Sequence, residues 1–217
     1  MTFDLFADLD PVQQADERLG EQAWVLRGFA LPQVAALLPA LDDIVAQAPF
    51  RHMVTPGGFT MSVALSNCGE LGWISDRRGY RYSRQDPETG LDWPPLPDVF
   101  QQLAHDAAAR AGFSDFLPDA CLINRYLPGT RMSLHQDRNE RDQSAPIVSV
   151  SLGLPANFQF GGHVRNDKTQ KTSLQHGDVV VWGGVDRLRF HGVLPLKPGS
   201  HSLLGDKRIN LTFRKAG

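Results

Sequence analysis

Two imidazoles and one carboxylate can occupy one face of an octahedral Fe(II) ion and leave its other positions open to a cosubstrate and dioxygen. The chain carries such a set: His135-Gln136-Asp137, then a lone His191, and after it the run Arg208-Ile209-Asn210-Leu211-Thr212-Phe213-Arg214. Together these read as an iron site beside a site for a dicarboxylate, because the arginine fork binds carboxylates bidentately and keeps its charge. His135 and Asp137 stand two apart, so on a β-strand both side chains leave the same face. Arg208, Asn210 and Arg214 share one face of a strand in the same way. His191 lies 54 residues after Asp137, enough chain for several strands to bring it back to the pair.

A His-x-Asp pair alone is weak evidence, since seven His and 24 acidic residues produce one by chance and a polar surface turn looks the same. Its surroundings give it weight. His135 and His191 each end an apolar stretch: Cys121-Leu122-Ile123 with Met132 and Leu134, and Val179-Val180-Val181-Trp182. A basic strand follows His191 at close range. A structural zinc would ask for a closed shell richer in cysteine. The chain has two cysteines, Cys68 and Cys121, without CxxC spacing, and they read as reduced and structural.

The elements that must position these residues follow from pattern. At 217 residues the chain is one domain, or one domain with a lid, of ordinary globular composition, 41% hydrophobic and 21% charged. Net charge of -2 excludes a global field for nucleic acid, so such contacts must use local basic patches. The start, Met1-Thr2-Phe3-Asp4-Leu5-Phe6-Ala7-Asp8, is acidic and lacks a basic region followed by an apolar one, and no apolar run reaches membrane-spanning length. A soluble cytoplasmic protein, monomeric and without membrane contact, is the expectation.

Residues 1 to about 48 hold an acidic lead, a strand around Trp24-Val25-Leu26, and a helix in which Val34, Leu37, Leu38, Leu41, Ile44 and Val45 recur at three- and four-residue spacing. Pro39 inside that pattern predicts a kink or a late start. Residues 49–95 read as irregular, rich in Gly and Pro, with interleaved aromatics and arginines: Phe50, Phe59, Trp73, Arg77, Arg78, Tyr80, Arg81, Tyr82, Arg84 and Trp93. A second helix runs from Pro97 to Ala111, stopped by Gly112. From Asp119 the runs are short and β-type: 120–126, 147–154, 158–160, 172–174, 179–182, 188–191 and 209–213, separated by Gly and Pro turns. Val148-Ser149-Val150-Ser151-Leu152 alternates, one face apolar and one polar. The fold class is mainly β with flanking helices (α+β), a sandwich or jelly roll, whose mouth can hold a metal from several strands.

At this point a resemblance applies. Leu122-Ile123-Asn124-Arg125-Tyr126, Ser133-Leu134-His135-Gln136-Asp137, Gly177-Asp178-Val179-Val180-Val181-Trp182-Gly183-Gly184, Phe190-His191-Gly192 and Arg208 to Arg214 resemble the AlkB family, Fe(II)- and 2-oxoglutarate-dependent dioxygenases that repair alkylated nucleobases. Met53-Val54-Thr55-Pro56-Gly57-Gly58 and Met61-Ser62-Val63-Ala64 extend the resemblance over nearly the whole chain. It implies a double-stranded β-helix (jelly roll) over 119–214 with a nucleotide-recognition lid over 49–95.

The resemblance also implies roles. His135, Asp137 and His191 match the iron ligands. Arg208 and Arg214 match the clamp on the two carboxylates of 2-oxoglutarate, with Asn210 between them, and Asn124 and Tyr126 match residues that hydrogen-bond the same cosubstrate. Trp73 matches a residue that stacks on the target base opposite His191, Tyr80, Arg81 and Tyr82 match contacts to the nucleotide and its phosphates, and Arg165 matches another substrate-side residue. The implied reaction is oxidative demethylation of a base such as 1-methyladenine or 3-methylcytosine. It is coupled to oxidation of 2-oxoglutarate by dioxygen to succinate and carbon dioxide, with the methyl group leaving as formaldehyde. The base must leave the stack to be reached, which favours alkylated single-stranded DNA over double-stranded DNA, with RNA as a further candidate.

The chain departs from that pattern at Asn139. The similar family members carry an aspartate there that contacts the flipped base, and asparagine is neutral, with both a donor and an acceptor. Altered base preference, or a weaker response to the lesion's charge, is the expectation. Three other readings stay open: a 2-oxoglutarate oxygenase acting on a protein or small molecule, a jelly-roll binding protein that has lost its metal, and a zinc hydrolase, which gives the Arg208–Arg214 strand no role.

Overall fold

The computed structural model describes residues 15–217, so the acidic lead lies outside the described residues. Chain order runs β1 (Glu17–Arg18), β2 (Ala23–Leu26), α1 (Val34–Gln47), β3 (Ala64–Gly69), β4 (Gly72–Asp76), β5 (Gly79–Ser83), α2 (Asp98–Arg110), β6 (Ala120–Tyr126), β7 (Met132–His135), β8 (Ile147–Gly153), β9 (Ala156–Phe160), β10 (Gln170–Leu174), β11 (Val179–Trp182), β12 (His191–Val193) and β13 (Arg208–Arg214). The major sheet has the order β1-β2-β11-β8-β13-β6-β3 and the minor sheet β10-β9-β12-β7, while β4 and β5 pair only with each other. Every strand pairing is antiparallel. Two facing antiparallel sheets make the jelly roll that the sequence predicts, and the major sheet draws in β1, β2 and β3 from outside 119–214.

The alternation in 147–153 shows why this sheet has two different faces. Val148, Val150 and Leu152 of β8 join Val179 and Val181 of β11 and Ile209, Leu211 and Phe213 of β13 on one side. Against that side lie the buried stripe of α1 (Val34, Leu37, Leu41, Ile44) and Phe100, Leu103, Ala104, Ala107 and Ala108 of α2. Each fully buried large side chain here contributes roughly 1.5–3 kcal/mol. The opposite face looks toward the minor sheet, where Ile147, Val180 and Trp182 pack with Phe158, Phe160 and Val193. The serines of β8 point to this side and are buried rather than solvated.

Helix α1 begins at Val34, so Pro39 lies inside it and does not delay its start. The strand predicted over 188–191 begins only at His191. The largest departure is in 49–95, which contains three strands instead of irregular chain. Strand β3 escapes pattern reading because Ser66, Asn67 and Gly69 interrupt its apolar residues, yet it is buried along its whole length against β6. Hairpin β4–β5 places Trp73 opposite Tyr82 and Ser75 opposite Tyr80. A second excursion folds 51–65 back on itself through Arg51↔Leu65 and Val54↔Thr60, and the Ser75 hydroxyl donates to Val54 O at 2.7 Å, tying the two together.

Candidate active site

Strands β7 and β12 bring the two histidines together. His191 and His135 are direct cross-strand partners, with ring centroids 4.4 Å apart. Gly192 follows because the strands approach so closely that a Cβ would meet Met132 O at 2.7 Å. The register slips between His191 and Val193, an irregularity of the kind that re-aims side chains beside active sites. Strand β7 stops at His135, so Asp137 stands in the loop that follows and not on the strand that its spacing predicts. The loop still turns its carboxylate back: Oδ1 is 3.6 Å from His135 Nε2 and Oδ2 is 3.8 Å from His191 Nε2. Among the described residues these three form the one group of His, Cys, Asp or Glu whose ligand atoms lie within 4.8 Å of one another.

Protonation states suit a metal. His135 Nδ1 lies 2.8 Å from Ser133 O and His191 Nδ1 lies 3.0 Å from Arg189 O. A carbonyl oxygen only accepts, so each Nδ1 donates to it and Nε2 is the nitrogen that faces the carboxylate. Burial, and then the neighbouring His135, hold the His191 pKa down to about 3, so the ring is neutral. Burial pushes the Asp137 carboxyl up, but Arg214 and the two histidines more than offset this and keep it well below the usual range. Two imidazoles, the buried one neutral, and one ionised carboxylate on one side of a cavity fit Fe(II) with open positions.

Strand β13 supplies the wall beside this group. Asn124, Tyr126, Arg208, Asn210 and Arg214 all line the cavity that the triad lines. Asn210 donates to Ser149 Oγ at 2.8 Å and to Val150 O at 2.9 Å, and Asn124 donates to Asn210 Oδ1 at 3.3 Å. The two arginines, alike in sequence, are in different states. Arg208 is 1% exposed, donates Nη2 to Ser151 Oγ at 2.9 Å and lies 4.9 Å over the Tyr126 ring, but its Nε and Nη1 have no partner. Burying two free cationic donors is costly unless an anion arrives to take them. Arg214 already donates Nε and Nη2 to Asp137 Oδ2 at 3.0 and 2.7 Å. These features fit a carboxylate-bearing cosubstrate held chiefly at Arg208.

The remaining predicted residues do not line that cavity. The Trp73 ring stacks near-parallel on Tyr80, with centroids 5.6 Å apart, and Tyr80 is 46% exposed. Asn67 fixes the Trp73 backbone in both directions, accepting from its N–H at 2.9 Å and donating to its carbonyl at 3.0 Å. Tyr82 shares that face of the hairpin and donates to Glu140 Oε1 at 2.6 Å. Arg81 does not join them. It pairs with Ile74 on the other face, and its guanidinium is bound to Asp76 at 2.9 and 2.7 Å. Asn139 is exposed two residues after Asp137, and Arg165 is exposed over the Phe190 ring at 5.2 Å.

Sequence reasoning missed two buried charges, Glu140 and Arg187, because each sits in a run that reads as a solvated surface. Arg187 donates Nη1 to Asp137 O at 2.6 Å, Nε to Ala145 O at 3.0 Å and Nη2 to Glu140 Oε2 at 3.1 Å. Ser149, Ser151 and Thr212 were also unassigned. The alternation of β8 was the available signal for the serines.

The 2OG-Fe(II) oxygenase superfamily profile matches residues 22–214. The chain is 58% identical over 214 residues to the alpha-ketoglutarate-dependent dioxygenase AlkB of Escherichia coli (strain K12), covering 99% of this chain and 98% of that protein. The chain belongs to the AlkB family. The corresponding AlkB of Salmonella typhimurium (strain LT2) is 56% identical over 213 residues, 98% of this chain and 97% of that one. The solved structure of OsALKBH1 superposes with a TM-score of 0.78 at 29% identity, covering 93% of this chain and all of that one. As an AlkB-family member the protein is an Fe(II)- and 2-oxoglutarate-dependent dioxygenase, with dioxygen as its second cosubstrate. The readings as a metal-free binding protein and as a zinc hydrolase are thereby set aside.

Proposed function

We propose that the protein removes methyl groups oxidatively from ring nitrogens of alkylated nucleobases, of the 1-methyladenine and 3-methylcytosine type, in direct-reversal DNA repair. Single-stranded DNA is its main substrate, since a base there has little unstacking cost to meet, and double-stranded DNA and RNA are secondary ones. The supporting observation is the face of β4–β5. Trp73, Tyr80 and Tyr82 stand on one side of the hairpin, and Tyr82 reaches the loop that carries Asp137. An aromatic face beside a metal group suits a flat base, and such stacking is worth roughly 1–3 kcal/mol per base. Exposed Arg77, Arg78 and Arg165 supply local positive charge in a chain whose net charge is -2. Arg81, already paired, contributes through hairpin rigidity. Two buried free cysteines and the absence of any long apolar helix among the described residues support a cytoplasmic setting.

When bound, Fe(II) with 2-oxoglutarate and dioxygen supplies the oxidising power. His135, Asp137 and His191 would hold the metal. Arg208 would take one carboxylate of the cosubstrate, while Asn124, Tyr126 and Asn210 orient the cosubstrate and Trp182 and Phe158 keep water from the cavity. Asn139, exposed beside the triad, tunes base preference. The neutral amide gives up the attraction that an aspartate offers to a cationic methylated base, so Asn139→Asp shifts the adenine-to-cytosine rate ratio several-fold. An unchanged ratio, with both Michaelis constants unchanged, refutes that role.

The decisive experiment incubates the protein aerobically with Fe(II), 2-oxoglutarate and single-stranded oligonucleotides bearing one 1-methyladenine or one 3-methylcytosine. Loss of the methyl mass together with succinate, both absent in His135→Ala, is the expected result. Succinate without demethylation would move the substrate to a protein or small molecule.

A further inference from the structure

Tyr82 and Glu140 lie 58 residues apart in the chain and meet at 2.6 Å. Glu140 stands three residues after Asp137, its side chain 2% exposed, between Arg187 at 3.1 Å and Arg214 at 3.5 Å. Both arginines also hold Asp137, Arg187 through the backbone carbonyl and Arg214 through the carboxylate. Two carboxylates and two guanidiniums thus balance in a dry cluster. The one link from it to the hairpin among the described hydrogen bonds and ion pairs is the Tyr82 hydroxyl. Burial raises the pKa of that hydroxyl, so it stays a proton donor across the working range. We infer that Tyr82 and Glu140 are positioning residues through which the lid hairpin sets the affinity of the His135, Asp137 and His191 group for its metal ion.

The physical reason is competition for two donors. Glu140 without the Tyr82 hydroxyl is one donor short, and the nearest compensation is a closer approach to Arg214. Arg214 is then drawn off the Asp137 oxygen that it fixes, and the ligand carboxylate loses its set position. Low dielectric makes such rearrangements costly and lets them propagate along a connected network. Coupling of this kind is reciprocal, so metal at the triad tightens whatever the hairpin grips. The inference rests on the lid reading only for that last consequence.

The test titrates the metal-free protein with Mn(II) by calorimetry, with neither nucleic acid nor cosubstrate present, after melting curves confirm that each variant is folded. Tyr82→Phe is expected to weaken Mn(II) binding about fivefold or more, the lower end of coupling between sites. Glu140→Gln weakens it as well, and the double substitution is no weaker than Glu140→Gln alone. Wild-type affinity in Tyr82→Phe overturns the inference, and so do additive effects. If Glu140→Gln fails to fold, Tyr82→Phe decides by itself. A failed nucleobase assay leaves this result standing, and a failed metal arm leaves the nucleobase reading untouched.

Discussion

Strand β13 and hairpin β4–β5 both line up functional side chains at every second position, but they do so in opposite surroundings. β13 is hydrogen-bonded on both sides, by β8 and β6, and all of its residues are buried. The hairpin pairs only with itself, and none of the residues of β5 is buried. Groups that must stay fixed while charge is rearranged sit where backbone freedom is smallest. On the proposed function, the groups that meet varied nucleic acid sit where opening is cheap. On that proposal the same pattern of alternation serves chemistry in one place and recognition in the other.

If that division holds, substitutions in the two regions should differ in kind. The largest effect belongs to Asp137→Ala. Demethylation falls by more than about a thousandfold, and the apo protein loses roughly 3–5 kcal/mol because Arg214 and Arg187 are left buried with Glu140 as their one shared carboxylate. Succinate assays and urea unfolding read the two losses. Arg208→Met comes next and pulls in two directions. It raises the KM for 2-oxoglutarate by about a hundredfold, yet stabilises the apo protein by about 1–2 kcal/mol, since two unpartnered cationic donors leave the interior. A destabilised Arg208→Met would show that the strand is not strained for function. Trp73→Ala should raise the KM for a methylated oligonucleotide about tenfold, within the range of one stacked base, and leave Mn(II) affinity unchanged. A change in kcat at saturating oligonucleotide would blur the line between the regions.

The smallest effect lies outside both. His176 packs on His201 at 4.3 Å, and burial, with His201 second, lowers its pKa. The unfolded chain protonates this ring near pH 6.5. Unfolding therefore takes up a proton as the pH falls below that value, and stability drops with it, while above it this group adds no pH dependence. Urea midpoints at pH 7.5 and 5.5 should differ in the wild type, and less so in His176→Gln.

What the sequence made legible follows the same division. Strands β6 and β11 are readable to the residue, the triad is visible through its ligand types, and the Arg208–Arg214 face is visible because period-2 spacing suffices for a buried strand. Asp137 was placed on a strand that ends at His135, since its spacing could not distinguish a loop that turns back. Strand β3 was missed because buried polar residues such as Asn67 look like loop in one dimension. Glu140 and Arg187 were hidden for a related reason. Charges that are paired across 47 residues have no local signature, and only the fold shows that they are dry.

If Arg208 takes one carboxylate of the cosubstrate, as proposed, it also acts as a gauge of length. Ser151 Oγ and the Tyr126 ring seat its guanidinium in the cavity, and the triad lines the same cavity from β7, β12 and the loop that follows β7. Arg208 and the two histidines all sit on paired strands, so the span between them is set by the two sheets. A diacid of the wrong length can satisfy one end only by releasing the other. On that proposal the jelly roll selects its small molecule by a distance built into the backbone, before any other side chain has to choose.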